Sequence, residues 1–416
     1  MNVRGMIMGA VVVAGATVMA QTVEERLTKL EEDAQYAKLQ AGANTKAVEG
    51  QDKQLLAMQK AFDRIKFYGD VRVRYEHEDG KRKETTNQTR DRLRFRARLN
   101  MDATLDSEWM TSMQIGTNPG DPTSGNASFG EGFAAPGGSA KIVGFERAFL
   151  RYTPEELGKQ VRFTAGKMGQ PWISVSDLVY DSSVNPEGVA AVGEFKFDGV
   201  TFYVNGGFFQ PMGTFNDNAA TTPVRLYSAQ VATKVAVDEY SFLVGASTYI
   251  WDSLRGKAPR TFLWSQGGAV NVNNGGADFD VNRYDEVELF AAIDAKFAIP
   301  FGIYGQFVNN AKGEVDKNGY LVGVKVGKAD HGKLELSYDY RFVGRDSVLS
   351  AYSEGSLWGG GTDGKGHRVQ LRYGLTRAVQ LGLTGFFTKA DISGTQPDNA
   401  YSGDYKRFQF DVAARF

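Results

Sequence analysis

The chain contains no cysteine. Disulfides, thiolate metal sites and a thiol nucleophile are therefore excluded. Histidine is nearly absent as well. His77, His331 and His367 are the only three in 416 residues, and they stand at no metal-ligand spacing. Charge of one sign is also missing: 48 Lys and Arg face 49 Asp and Glu, a formal net charge of −1. That balance supplies neither the basic field of a nucleic-acid binder nor a solvating acidic tail. Beyond the N-terminus, no stretch reaches the roughly 18 apolar residues of a membrane helix.

The N-terminal stretch "MNVRGMIMGAVVVAGATVMA" has Arg4, an apolar core from Met6 to Val18, and small residues at Val18-x-Ala20. This is the pattern of an export signal over residues 1–20. No Cys follows it, so a lipoprotein is not expected. An exported chain without a membrane helix can cross a bilayer only as a closed barrel.

Two periodicities fill the rest. Over residues 21–63 the period is seven. One seam holds Leu27, Ala34, Ala41, Val48, Leu55 and Phe62; the other holds Val23, Leu30, Ala37, Asn44, Gln51 and Met58. A stripe of two positions in seven predicts a self-associating α-helical coiled coil, with Asn44 and Gln51 setting register. From Lys66 onward the period is two. "DEVELFAAIDAKFA" places Val287, Leu289, Ala291, Ile293, Ala295 and Phe297 on one face and Glu286, Glu288, Asp294 and Lys296 on the other. "KLELSYDYRF" and "YKRFQFDVAARF" repeat the alternation, and 49 Gly with 12% aromatics fit many strands joined by wide loops.

The connections identify the architecture. Short ones (106–107, 154–160, 198–199, 237–239, 299–300, 329–332, 375–378) alternate without exception with long ones (78–90, 117–144, 169–189, 210–224, 251–284, 310–318, 343–366, 389–404). Short periplasmic turns and long external loops are the rhythm of a membrane barrel. The expected fold is an all-β transmembrane protein over residues 64–416. It is an antiparallel β-barrel of about 16 strands, with the coiled coil of residues 21–63 in the periplasm.

"DRLRFRARLNMDATL" alternates Arg92, Arg94, Arg96 and Arg98 with Leu93, Phe95, Ala97 and Leu99. A Lys or Arg facing lipid at the bilayer midplane costs about 2–4 kcal/mol. Four on one strand would cost on the order of 10 kcal/mol, comparable to the stability of a domain. The Arg side must therefore face the lumen. With Arg72 and Arg74 it forms one basic patch of pore-lining, selectivity-determining candidates. Arg151, Arg162, Arg341, Arg372, Arg407 and Arg415 stand at positions that also fit the inner face. The third long loop carries Asp177, Asp181 and Glu187. Folded inward as a constriction, it would set acids against the basic wall and give a transverse field. Phe416, closing the apolar alternation of the last strand, reads as an assembly signal.

Other chemistry is poorly served. "GGGTDGKGH" offers Gly359, Gly364 and Lys365 of a phosphate-binding loop, but Gly366 stands where Ser or Thr is needed. His367 has no nucleophile to serve. Neither an enzyme nor a cofactor is expected.

"DLVYDSSVNPEGVAA" (177–191), "LSYDYRFVGRDSVLSAY" (336–352) and "GGGTDGKGHRVQLRYGL" (359–375) resemble segments of the bacterial "putative porin" family. The resemblance covers most of the chain after about residue 65. It implies an export signal, a short helical segment and a large barrel. Relatives tend to carry Asp-Ser-Asp before the glycines, where this chain has "SEGSLW" (353–358). A looser likeness, on charge alone, is to phosphate-selective porins. The expected protein is an outer-membrane porin passing small hydrophilic solutes and ions by diffusion. Its partners would be outer-membrane lipid, two further copies in a homotrimer, and peptidoglycan or another periplasmic contact through the coiled coil; nucleic acid is not among them. An anion or phosphate channel using the Arg patch and an envelope tether are the alternatives.

Overall fold

The protein is described from a computed structural model, which covers residues 3–82, 87–117, 121–130, 141–212, 223–255, 283–394 and 401–416. Parts of the expected long connections, the whole of 83–86 and 256–282 among them, lie outside the described residues. The chain divides into two units, Met1–Arg64 and Ile65–Phe416. In the first, one helix, α1 (Val3–Asp63), runs unbroken past the expected leader boundary after Ala20. Its seam residues Leu27, Leu30, Val48, Leu55, Met58 and Phe62 are all exposed.

The second unit is a barrel. Its strands are β1 (Ile65–Arg82), β2 (Asn87–Thr104), β3 (Trp109–Thr117), β4 (Ala127–Ser128), β5 (Val143–Tyr152), β6 (Val161–Lys167), β7 (Glu187–Phe197) and β8 (Val200–Met212). They continue with β9 (Val224–Val237), β10 (Tyr240–Asp252), β11 (Arg283–Ala295), β12 (Phe301–Asn310), β13 (Asn318–Gly327) and β14 (Leu334–Val343). The last three are β15 (Gly364–Gly374), β16 (Val379–Ala390) and β17 (Tyr401–Arg415). Each long strand pairs antiparallel with its neighbours, and β1 pairs with β17 from Asp70↔Arg415 to Arg82↔Tyr401, closing the sheet. Sixteen strands form the wall. The seventeenth, β4, was not foreseen in the sequence. β2 is twice as long as β3, so on that side its outer half has no partner in β3, and the loop after β3 returns to supply one at Arg94↔Ser128 and Phe95↔Ala127.

The closing seam depends on one glycine. Gly69 N–H donates to the Phe416 carbonyl (2.9 Å) and Phe416 N–H to the Gly69 carbonyl (3.1 Å). A Cβ on Gly69 would stand 2.6 Å from the Phe416 ring and 2.3 Å from the Arg98 carbonyl, so a side chain there would displace the terminal ring from the seam.

The outer face is apolar on every side: Val71, Val73 and Tyr75 on β1, Leu93 and Leu99 on β2, Val287, Leu289 and Ile293 on β11, and Leu334 and Leu336 on β14 are exposed. A surface this continuous requires hydrocarbon around it. The opposite face is polar and holds two loops. Residues 168–186 follow β6, and residues 344–363 follow β14. Trp172 and Tyr180 of the first pack on Phe209, Tyr249 and Trp251 of the wall, with ring centroids 5.0–6.4 Å apart, and Trp251 stacks on Tyr352 of the second at 5.5 Å. All but Tyr352 are buried, and Tyr352 packs against them. Burial on this scale, roughly 150–250 Å² for each ring, holds the loops against the inner wall.

Candidate functional site

The period of two sends every second residue of β1, β2 and β17 inward. The register then sets Arg72 opposite Arg96 and Arg74 opposite Arg94. Like charges directly opposed destabilise a sheet, so counter-charges must lie between them. Asp70 binds both Arg96 (2.7 Å) and Arg98 (2.7 Å). Asp411, brought from the end of the chain by barrel closure, takes a two-point contact from Arg74 at 2.7 and 2.8 Å and lies 3.8 Å from Arg72. Glu76, 1% exposed, pairs with Arg92 and stands 3.8 Å from Arg94 and 4.0 Å from Arg74. Glu78 accepts from Arg407 (2.6 Å) and from the Tyr405 hydroxyl (3.0 Å).

Glu146 joins this network through a β-bulge. Gln114 pairs with Arg147 but Ile115 with Phe145, so Glu146 is the extra residue. Its carboxylate lies 4.0 Å from Arg98, in space that a Cβ on Gly116 would fill. In all, seven guanidinium groups (Arg72, Arg74, Arg92, Arg94, Arg96, Arg98, Arg407) share five carboxylates (Asp70, Glu76, Glu78, Glu146, Asp411). Arg90 reaches Glu78 at 3.8 Å from a more exposed position.

Loops cover part of this comb. Arg72 donates to the Asn126 side chain (2.6 Å) and Arg94 to the Asn126 carbonyl (2.8 Å), both beside β4. On the other side Arg407 donates to the Gly355 carbonyl (3.3 Å) and Gln409 to Ser356 (3.4 Å) in the 344–363 loop.

The three loop acids expected to face the comb have three separate environments. Asp177 pairs with Arg341 (2.8 Å) on β14 and Arg368 (2.7 Å) on β15. Asp181 accepts from the Ser183 N–H (2.6 Å) inside its own loop. Glu187 opens β7 and pairs with Lys167 at 2.5 Å near the rim. Among the described residues none of the three is bonded to the comb. Sequence alternation fixes which face of a strand a residue takes, but not which wall a loop will reach. Burial works to raise the Asp177 carboxyl, and the Arg341 and Arg368 guanidinium groups outweigh it and hold it well below the usual range. Burial pushes Asp181 up, with Glu354 adding to the effect; burial also raises Glu354, with the Asp177 charge adding.

The loop at 168–186 is clamped by side chains that the sequence reading passed over. Gln230 receives the Ile173 N–H (2.7 Å) and donates to the Ile173 carbonyl (2.8 Å). Gln306 donates to Ser174 (2.9 Å) and accepts from the Leu178 N–H (3.4 Å). Both are tied to Glu288: Gln306 directly at 2.7 Å, Gln230 through Ser247 at 2.9 and 2.8 Å. Glu286, two residues away on the same face, accepts from Leu349 N–H (3.1 Å) in the other loop. The loops are joined to each other where Asp181 N–H donates to the Tyr352 carbonyl (2.8 Å). The available signal was a polar residue at an inward position on each of five consecutive strands: Asn205, Gln230, Ser247, Glu288 and Gln306.

Lys365 of the glycine-rich segment lies on β15, a strand rather than a phosphate-binding loop. Among the described residues no group of three or more His, Asp or Glu is placed to hold a metal ion.

An apolar exterior, a polar interior and loops packed inside the wall define a channel of the outer-membrane type. The chain belongs to the "putative porin" family, whose profile matches residues 79–281 and 269–416; this is a family of channels, not of enzymes. No curated protein sequence matches it. Among solved structures it is similar to OprB of Pseudomonas putida at high pH, with TM-score 0.56 and 11% identity over 86% of this chain and 96% of that one. A Rhodopseudomonas blastica porin triple mutant (TM-score 0.46, 11% identity, 85% and 100% covered) and OmpT of Vibrio cholerae (0.45, 11%, 85% and 97%) are also similar. At such identities the likeness to OprB is one of fold.

Proposed function

We propose that the protein is an outer-membrane porin through which small hydrophilic solutes and ions diffuse, its lumen narrowed jointly by the 168–186 and 344–363 loops. The observation that carries this reading is the clamp: Gln230 and Gln306 grip the first loop from the inner wall, an arrangement suited to a fixed constriction in an otherwise open barrel. The preference of the pore for anions is the second reading. It is favoured by seven guanidinium groups sharing five carboxylates, and by the Nε atoms of Arg72, Arg92 and Arg94, which have no hydrogen-bond partner among the described residues.

The exposed heptad seam of α1 supports self-association, with three copies joined in the periplasm after removal of residues 1–20. Phe416, in its seat over Gly69, fits the role of an assembly signal. Planar-bilayer recordings test the channel. Wild type is expected to conduct ions, and Arg94→Glu/Arg96→Glu to shift the reversal potential in a salt gradient toward cation preference. A protein that inserts without conducting would refute the porin. An unchanged reversal potential would leave the comb a brace for the wall. Deletion of 22–63 is expected to dissociate the assembly in detergent; an intact assembly refutes the coiled-coil role.

A further inference from the structure

The outer wall has its own charge pattern. At the end of the barrel that carries the long loops, the register lines up one row of outward residues as Tyr320, Phe342, Lys365, Lys389 and Asp404. The row beneath is Val322, Tyr340, His367, Phe387, Lys406 and Asp79. The third is Val324, Tyr338, Val369, Gly385, Phe408 and His77. Charge is concentrated in the top two rows over β15–β17.

Lys365, Lys389 and Lys406 are exposed there, and Lys365 stands directly opposite Lys389. Two like charges at paired positions repel. Two other cations on this rim have an acid: Lys167 pairs with Glu187, and Arg283 with Asp285. Among the described residues the three lysines have no carboxylate within 4 Å, although Asp404 and Asp79 share their rows.

Rings border the lysines. Phe387 and Phe408 form an edge-to-face pair at 5.6 Å. Tyr320 stacks on Phe342 at 5.4 Å, and Tyr340 lies 5.0 Å from His367, whose Nδ1 is 2.8 Å from the Tyr338 hydroxyl. Aromatic rings gather where hydrocarbon meets headgroups, and this places the lysines at headgroup depth.

We propose that the outer rim of β15–β17 binds the phosphate of an anionic lipid headgroup, held by Lys365, Lys389 and Lys406, with the lipid's apolar part on Phe387 and Phe408. The inference rests on the outer-membrane reading. It commits to a lipid, because the rings below the lysines favour an amphiphile over a soluble anion. The bound phosphate would separate the opposed ammonium groups of Lys365 and Lys389, which no carboxylate among the described residues approaches within 4 Å.

Native mass spectrometry of the full-length protein in detergent tests this with added phosphatidylglycerol, phosphatidylcholine or inorganic phosphate. Phosphatidylglycerol should be retained over phosphatidylcholine. Lys365→Gln/Lys389→Gln/Lys406→Gln should bind it on the order of a hundredfold more weakly, while Arg at all three positions should preserve binding. Equal retention of the two lipids overturns the proposal, as does wild-type binding by the Gln variant or loss of binding by a folded Arg variant. Displacement of the lipid by inorganic phosphate would assign the site to a soluble anion and also overturn it. Should the Gln variant not fold, the wild-type lipid preference and the Arg variant decide. Bilayer conductance of the same preparations keeps the readings apart. Normal conductance without lipid preference sinks the lipid site alone, and lipid preference without conductance sinks the channel alone.

Discussion

Neutralising one acid of the comb should damage the barrel more than neutralising one of its arginines. Glu76→Gln removes a single negative charge that Arg92, Arg94 and Arg74 all face within 4.0 Å. Its volume hardly changes, and the Gln409 Nε2 donor 2.9 Å away can still find the side-chain oxygen. The loss is therefore electrostatic. Breaking a buried ion pair from one side costs about 3–5 kcal/mol, because the partner charge is left uncompensated. Here Arg94 loses its one acid within 4 Å among the described residues, Arg74 and Arg92 are each left with one, Asp411 and Glu78, and Arg74 and Arg94 already face each other across the register. Arg94→Gln acts in the opposite direction. It forfeits the bond to the Asn126 carbonyl (2.8 Å), worth about 1 kcal/mol, but removes a cation from a group with too few acids. The double variant should be more stable than Glu76→Gln alone, a coupling of at least about 1 kcal/mol. Urea titration of protein folded in lipid vesicles, read by heat-modifiable mobility, measures all three. Equal losses for the two single variants, or a larger loss for Arg94→Gln, would show that the comb is not short of negative charge.

The contact between the two inner loops should tighten in mild acid. A raised carboxyl favours the folded arrangement while protonated, so the Glu354 contribution grows as pH falls from neutral and is lost as pH rises through its folded value. Asp177, held low, contributes above the ordinary carboxylate range and gives way only in strong acid. Single-channel conductance should therefore fall on mild acidification, and Glu354→Gln should flatten the profile; superimposable profiles would dismiss the idea. At the closing seam, Gly69→Val should slow barrel assembly about as much as Phe416→Ala, since both lift the terminal ring off β1. Refolding into vesicles at the wild-type rate by the glycine variant would contradict that.

The repeating parts of the fold were legible in the sequence, and the parts made by closure were not. A period of two specifies a face, and the alternation of long and short connections specifies up and down; together they give the sixteen-strand wall. Neither contains the information that Asp411 will stand beside Arg74, because 337 residues separate them and only the β1–β17 pairing joins them. The bulge at Glu146 shifts the parity locally, so two consecutive charged residues face inward where strict alternation allows one. The 344–363 loop did carry a readable sign. Val348, Leu349, Leu357 and Trp358 are apolar residues in a connection that solvent would not reward, and all are buried. A long loop with its own hydrophobic residues belongs inside the barrel.

The same loop changes what the comb can do. A bare row of arginines on a pore wall would act on every passing ion. This one is bounded by Asn126 on one side and by Gly355 and Ser356 on the other, and the latter loop is bonded in turn to the one that carries Asp177. Contacts therefore run from the 168–186 loop through Tyr352 and its loop to Arg407 and Gln409, without a direct bond between Asp177 and the comb. The sequence joined loop and comb by a direct opposition of charge; the structure joins them instead by a connected set of contacts. A substitution at Gln306, far from any arginine of the first two strands, then has a physical route to the charge pattern of the lumen.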